Sequence, residues 1–329
     1  MTSNSPVDSA SVAGLPVSPA ADAVRRLRRN PIAVVSGLYI VLLALLAICA
    51  PILARNGSQT GNQASSGAAV GARGLVSTWN YDDIDTSYNT LPAPPDSRHR
   101  LGTDNLGQDV LSRLIFGARV SLSVAVLVVL IEALIGVTLG LFAGYGSGIR
   151  DLLLMRVTDV MFAFPDILLA LLVVAVLRSG NRPLTPLVNA AGLVFALGVV
   201  AWPGLARLVR GQALALREKE YVEAAKSAGV RERAILWRHV LPNLLSPIIV
   251  SITQDAAGVI LAEATLSFLG LGVPAPFPSW GRMIDDAMPF KETQPLLLLA
   301  PSLLLALTVM AFNFFGDALR DALDPRLRQ

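Results

Sequence analysis

Three carboxylates, Glu132, Asp255 and Glu263, stand inside long apolar runs of this 329-residue chain. Arg156, Asp159 and Asp166 lie in another such run. An ionised side chain at the centre of a bilayer costs about 2.5–3.5 kcal/mol on insertion scales, so these groups must face protein or water. Two chemistries fit. The acids line the path of a polar solute and meet its charges, or they pair helix to helix, as Arg156 and Asp159 would on one helix face.

Other chemistries are excluded by count and spacing. A phosphate-binding loop needs a Gly-Lys pair. The chain has three lysines, Lys219, Lys226 and Lys291, and they follow Glu218, Ala225 and Phe290. ATP hydrolysis through a Walker A loop is therefore absent, and no catalytic residue is assigned. A zinc site needs three or four ligands, whereas the two histidines, His99 and His239, fall on opposite sides of the membrane topology read below. No G-x-S-x-G elbow occurs. The expectation is no cofactor and no metal in this chain.

These groups need helices to hold them. Hydrophobic residues make up 53% and charged residues 16% of the chain, against about 25% charged in soluble domains. So much apolar surface has no soluble interior to occupy, and the single Cys49 rules out a disulfide scaffold. The net charge of +3 is not gathered into a basic face with aromatic platforms, so no nucleic-acid partner is expected. The fold expected is an all-α polytopic membrane protein of about six transmembrane helices. The runs are Ile32 to Leu53, Val120 to Phe142, Leu152 to Leu177, Leu187 to Val209, Ile248 to Leu271 and Leu296 to Phe315. Pro165 and Pro203 are expected to kink the third and fourth.

Arginine and lysine bias sets the orientation. Arg25, Arg26, Arg28 and Arg29 precede the first run, and seven basic residues from Arg210 to Arg238 follow the fourth. Arg320, Arg326 and Arg328 follow the sixth. Both termini and the loop after run four are thus expected in the cytoplasm of a multi-pass plasma- or inner-membrane protein. The first run is about 22 residues, beyond the 7–15 of a signal peptide, and reads as a retained anchor. The expected organisation is a disordered cytoplasmic tail over 1–30, an anchor over 31–54, an extracytoplasmic segment over 55–118 and a core over 119–329. The piece Gly57 to Gly74 reads as a flexible insert, and Trp79 to Tyr88 as a part that folds against the outer membrane face.

The loop 210–246 is the most distinctive stretch. Arg217, Glu218, Lys219, Glu220, Glu223 and Lys226 make a solvated helical face, and Leu214, Tyr221, Ala225 and Ala228 recur on another. Gly229 breaks the helix where a left-handed residue is required. A second short helix is expected from Arg231 to Val240, ended by Pro242. Two readings stand: a solvated hairpin lying on the membrane, or a docking element whose small Ala224 and Ala225 let another protein approach closely.

Residues 223–242, EAAKSAGVRERAILWRHVLP, resemble the EAA loop of ABC importer permeases. Glu223, Ala224, Ala225, Gly229, Leu241 and Pro242 match at the right spacing, and His239 stands where the general pattern has Ile. The R-H-V-L-P-N ending is typical of the peptide-transport branch. Residues 101–119, LGTDNLGQDVLSRLIFGAR, resemble the segment that opens the core of dipeptide and oligopeptide permeases, with Gln108 where that family usually has Arg. Residues 266–281, LSFLGLGVPAPFPSWG, and the basic entry at 25–31 are similar to the second permease subunit of the dipeptide/oligopeptide (peptide/nickel) family.

The resemblance implies a type I ABC importer permease-like core and a pore subunit for short peptides. It implies as partners a second permease, two cytoplasmic ATP-binding subunits that hold ATP and Mg, and an extracytoplasmic solute-binding protein. Tyr221, Glu223, Ala224, Ala225, Gly229, His239, Leu241 and Pro242 would form the coupling loop that docks on an ATPase subunit. Glu132, Asp255 and Glu263 are candidates for the translocation path. Trp280, Met283 and Phe290 read either as an outer gate-like helix or as interfacial anchoring. Alternatives are a permease for nickel or another small solute, and a secondary transporter. A secondary transporter calls for inverted repeats and a coupling-ion site.

Overall fold

The computed structural model describes residues 19–53, 79–146, 148–179 and 185–324. The flexible-insert reading of 57–74 lies outside the described residues. Eleven α-helices follow in order, joined by one π-helical and one 3-10 turn: α1 Pro19–Arg29, α2 Pro31–Leu53, α3 Val110–Tyr145, α4 Ile149–Phe162, α5 Asp166–Arg178, α6 Pro186–Arg217, α7 Glu220–Ser227, α8 Glu232–Ile235, α9 Leu241–Phe268, α10 Trp280–Ala287 and α11 Pro295–Leu323. Five of the helices, α2, α3, α6, α9 (with α8) and α11, are long and apolar enough to cross a membrane, and the bent pair α4–α5 brings the total up to six.

Four sequence expectations change. The tail expected to be disordered over 1–30 is helical from Pro19, where α1 carries an Asp22–Arg26 ion pair at 3.3 Å and buries Ala23. The run Leu152 to Leu177 is not one rod. It breaks between Phe162 and Asp166 and turns by 89°, because Pro165 has no N–H to give and its ring drives Phe164 out of the helical region. Pro203, by contrast, is accommodated inside α6. The core begins at Val110 rather than 119, since Asp109 caps α3 by accepting from the Ser112 N–H at 2.9 Å. The loop 210–246 is shorter than expected. α6 runs to Arg217, and Pro242 sits in the first turn of α9, the place where a missing N–H costs least, so it opens a helix instead of ending one.

α3 is the axis of the molecule. Its 36 residues span about 54 Å at 1.5 Å per residue, longer than a bilayer is thick. It lies against α6 along a seam of glycines at four-residue spacing. A Cβ on Gly136 would meet the Trp202 carbonyl at 3.0 Å, one on Gly140 the Ala206 carbonyl at 2.6 Å, and one on Gly144 the Ala213 Cβ at 2.7 Å. Small residues at this spacing let two membrane helices approach backbone to backbone, where packing contacts supply the attraction that lipid cannot. α2 and α11 flank the other side, tied by the Tyr39 hydroxyl and Thr308 Oγ1 at 3.0 Å. Val35, Ile48, Leu134 and Leu303 remain largely exposed on the outer surfaces of the spans, as lipid-facing positions do.

Candidate functional site

The docking element sits at the C-terminal end of α3. α7 carries Glu220 and Glu223 in its first turn and Lys226 in its last, the arrangement that complements the helix dipole. It closes in a Schellman motif: the Gly229 N–H donates to the Lys226 carbonyl at 2.9 Å and the Val230 N–H to Ala225 at 3.1 Å. Gly229 has φ +73°, as this closure demands. Val222 on α7 and Ile235 on α8 are fully buried and join Tyr145, Val209, Val240 and Leu244 in one apolar cluster. The element is therefore pinned to α3, α6 and α9 from beneath. Its other face is open: Tyr221, Glu223, Ala224, Lys226 and Gly229 are exposed, as are Trp237 and Pro242, while Ala225, His239 and Leu241 are half-buried. Leu236–Val240 forms a π-helical turn between α8 and α9. Beside the element, Arg210 clamps the Asp151 carboxylate of α4 at 2.5 and 2.7 Å.

The three buried acids part company. Glu132 on α3 and Asp255 on α9 face the same cavity of about 500 Å³, with Asp166, Ser251 and Gln254 also in its wall. Ser251 Oγ donates to Asp255 at 3.0 Å. Glu263 is not part of that wall. It is fully buried and accepts from Ser267 Oγ at 2.6 Å and Ser121 Oγ at 3.2 Å, a hydrogen-bonded strut between α9 and α3. The expected Arg156–Asp159 contact also gives way: Asp159 pairs with Arg207 of α6 at 3.0 Å.

Trp280, Met283 and Phe290 do not form an interfacial surface. Trp280 is fully buried, its indole N–H donating to the Leu114 carbonyl at 3.1 Å. It packs in a cluster with Met283, Val110, Ala118 and Leu297, and Phe290 lies against the edge. A Cβ on Gly281 would fall 2.5 Å from Ala264 Cα, so α10 is seated directly on the backbone of α9. The apolar pattern that suggested a membrane surface is the pattern of a buried plug helix.

The segment 79–109 folds on the N-terminal end of α3 around His99. This fully buried ring lies between Asp109 (Nδ1 to Oδ1, 2.9 Å) and Asp85 (Nε2 to Oδ2, 3.4 Å), with Trp79 stacked at 4.7 Å. Burial alone would lower the imidazole, but the two carboxylates outweigh it and hold it above its ordinary value. Asp85 is held below the usual carboxylate range, because hydrogen bonds from Ser87 and His99 outweigh its desolvation. A raised histidine contributes stability below about 6.5 that is lost as pH rises through its folded value, and a lowered aspartate contributes stability above about 3.9 that is lost on acidification. Protection of the 79–109 amides, taken relative to their intrinsic exchange at each pH, is therefore expected to be greatest between those limits and to fall toward alkaline pH. His99→Gln is expected to abolish the alkaline loss.

Sequence reasoning missed the glycine seam, the serine cage of Glu263 and the Arg210–Asp151 clamp. The first was readable as Gly136, Gly140 and Gly144 within an apolar run. Of the cage, Ser267 stands one turn from Glu263 and was readable, whereas Ser121–Glu263 and Arg210–Asp151 join residues 59 or more positions apart and leave no local signal.

The described residues thus form an all-α bundle with five to six candidate membrane spans, one of them broken, a cavity with three acids in its wall and a pinned helical element at one end. Residues 136–329 match the family described as binding-protein-dependent transport system inner membrane component, and residues 18–95 match the N-terminal TM domain of oligopeptide transport permease C. The chain belongs to this family of ABC importer permeases. It is 40% identical over 304 residues to the glutathione transport system permease protein GsiD of Pectobacterium atrosepticum, covering 92% of this chain and 90% of that one. It is 38% identical to the dipeptide transport system permease protein DppC of Alkalihalophilus pseudofirmus (95% and 91% covered). To the oligopeptide transport system permease protein OppC of Bacillus subtilis it is 36% identical (94% and 90% covered). Among solved structures it is similar to an inward-facing MetNI methionine ABC transporter, with TM-score 0.52 and 18% identity over 65% of this chain and 97% of that one. The fold is thus that of type I ABC importer permeases.

Proposed function

We propose that this chain is one of two permease subunits that form the pore of an importer for short peptides, driven by ATP and Mg held in two partner ATPase subunits. The chain itself holds no cofactor in this reading. A solute-binding protein delivers the peptide at the 79–109 end. Both termini and α7 lie in the cytoplasm, in keeping with the arginine clusters at 25–29 and 210–238. The peptide cargo follows from the named activities of the relatives, all of which carry peptides or glutathione.

The observation that carries this reading is a short helix with an open small-residue face and a buried root. Glu223, Ala224, Lys226 and Gly229 are offered to a partner, while Val222 and Ile235 key the same element into the bundle. Movement of an ATPase subunit against Tyr221, Glu223, Ala224 and Ala225 therefore reaches α3, α6 and α9 without a flexible link. His239, Leu241 and Pro242 transmit it into the first turn of α9. In the assembled complex, Glu223→Lys and Gly229→Pro are expected to insert normally and to hydrolyse ATP while uptake falls at least about tenfold. Proline cannot take the positive φ of Gly229, so the motif must open. Wild-type coupling of hydrolysis to uptake in both variants would overturn the docking role.

A further inference from the structure

We propose that the cavity between α3, α5, α6 and α9 contains a cation subsite, built on Glu132 and Asp255, that receives the ammonium group of a lysine side chain of the solute as it crosses. This rests on the reading of the chain as a peptide importer and adds which part of the solute this subunit recognises.

The argument begins with an unpartnered atom. Glu132 is only 2% exposed, yet its Oε2 has no hydrogen-bond partner among the described residues. A buried acceptor left unmet costs about 1–3 kcal/mol, more when charged. The glycine seam already holds α3 to α6, and Glu132, one turn before Gly136 on the same face of α3, stands beyond the end of that seam in the wall of the cavity with Asp255. A purely structural acid in this fold looks different. Glu263 is equally buried, and both its oxygens accept hydroxyl hydrogen bonds.

The surroundings select the sign of the ligand. The wall holds three acids, Glu132, Asp166 and Asp255, and no lysine, arginine or histidine. Ser251 Oγ orients Asp255, and Glu132 and Asp255 share one wall of the cavity. An ammonium has three donors and no acceptor, so it satisfies the open Oε2 and the neighbouring carboxyl together. Gly204 and Gly258, which have open space where a Cβ would stand, keep the wall low on either side. The cavity's volume of about 500 Å³ lies within the range of small-ligand sites, about 300–1,000 Å³.

The test uses the complete transporter, reconstituted with saturating solute-loaded binding protein. Uptake per ATP hydrolysed is measured for three dipeptides, with a neutral, a lysine and a glutamate side chain, in wild type and in Glu132→Gln, Asp255→Asn and the double variant. Wild type is expected to move the lysine peptide faster than the glutamate peptide, and the double variant is expected to lose that preference by about tenfold. A packing defect would slow all three peptides alike and leave their ratio unchanged, and that result overturns the subsite. So does full retention of uptake and ratio. Glu263→Gln serves as the comparison that should leave the ratio intact. If wild type hydrolyses ATP but moves no peptide, the peptide-importer reading falls instead. If peptide moves normally and only the ratio is indifferent to both acids, that reading stands and the subsite falls.

Discussion

Replacing Gly140 with leucine is expected to leave α3 and α6 inserted but unpaired, and to abolish accumulation of folded protein. A Cβ alone at this position would stand 2.6 Å from the Ala206 carbonyl and 2.7 Å from Val209 Cβ. Neither is the free end of a flexible side chain, so the two backbones must separate. Overpacking typically costs about 1–3 kcal/mol, and three further carbons at a backbone contact place this case at or above the upper end. Separation also withdraws Leu205 and Val209 from the cluster that roots α7, so loss of the seam unseats the docking element. Thermal melting in detergent and the yield of assembled complex measure the effect. Gly211→Ala, on the facing helix α6 with open space around it, is the control and is expected to be neutral or mildly stabilising. A Gly140→Leu protein that melts like wild type would show that the close approach is not what holds the pair.

Truncating Trp280 to alanine is expected to cost about 3–5 kcal/mol, the usual range for a buried large aromatic. The indole fills the space between α3 and α10, touches Gly117 and satisfies the Leu114 carbonyl. Without it that carbonyl keeps only its helical bond, and α10 is left with the Ser279 cap, its seat on Ala264, the Met283 contacts and the Arg113–Asp286 pair. Hydrogen exchange should then rise over 280–290 before the rest of the bundle melts. Protection there equal to wild type would mean that these remaining contacts hold α10 by themselves. Trp280→Phe, which keeps the ring but not the donor, is expected to recover most of the loss.

The spans were legible because a membrane helix writes itself as a continuous apolar run, and the EAA-like loop because its spacing is long and local. What escaped had physical reasons. Pro165 was visible as a kink, but an 89° turn depends on how α4 and α5 pack, and the sequence carries no such angle. Residues 110–118 read as part of the extracytoplasmic segment because Arg113 and Arg119 interrupt the apolar run, but in the fold Arg113, in the first turns of α3, meets Asp104 at 3.0 Å and Asp286 at 3.6 Å. Glu132 and Glu263 are indistinguishable in sequence, each an acid in an apolar run. Only their neighbours, an open cavity for one and two serines for the other, separate a binding group from a strut.

The break at Pro165 has a mechanical corollary. α3 and α6 are joined along their glycines into a single beam, and in the coupling proposed above a push at the root of α7 would travel along it. α4 is joined to that beam through the polar grips of Arg210 on Asp151 and Arg207 on Asp159, while α5, beyond the break, packs Ala170 and Val174 against it. A stroke that leaves the beam intact must therefore change the chamber by sliding its one jointed wall.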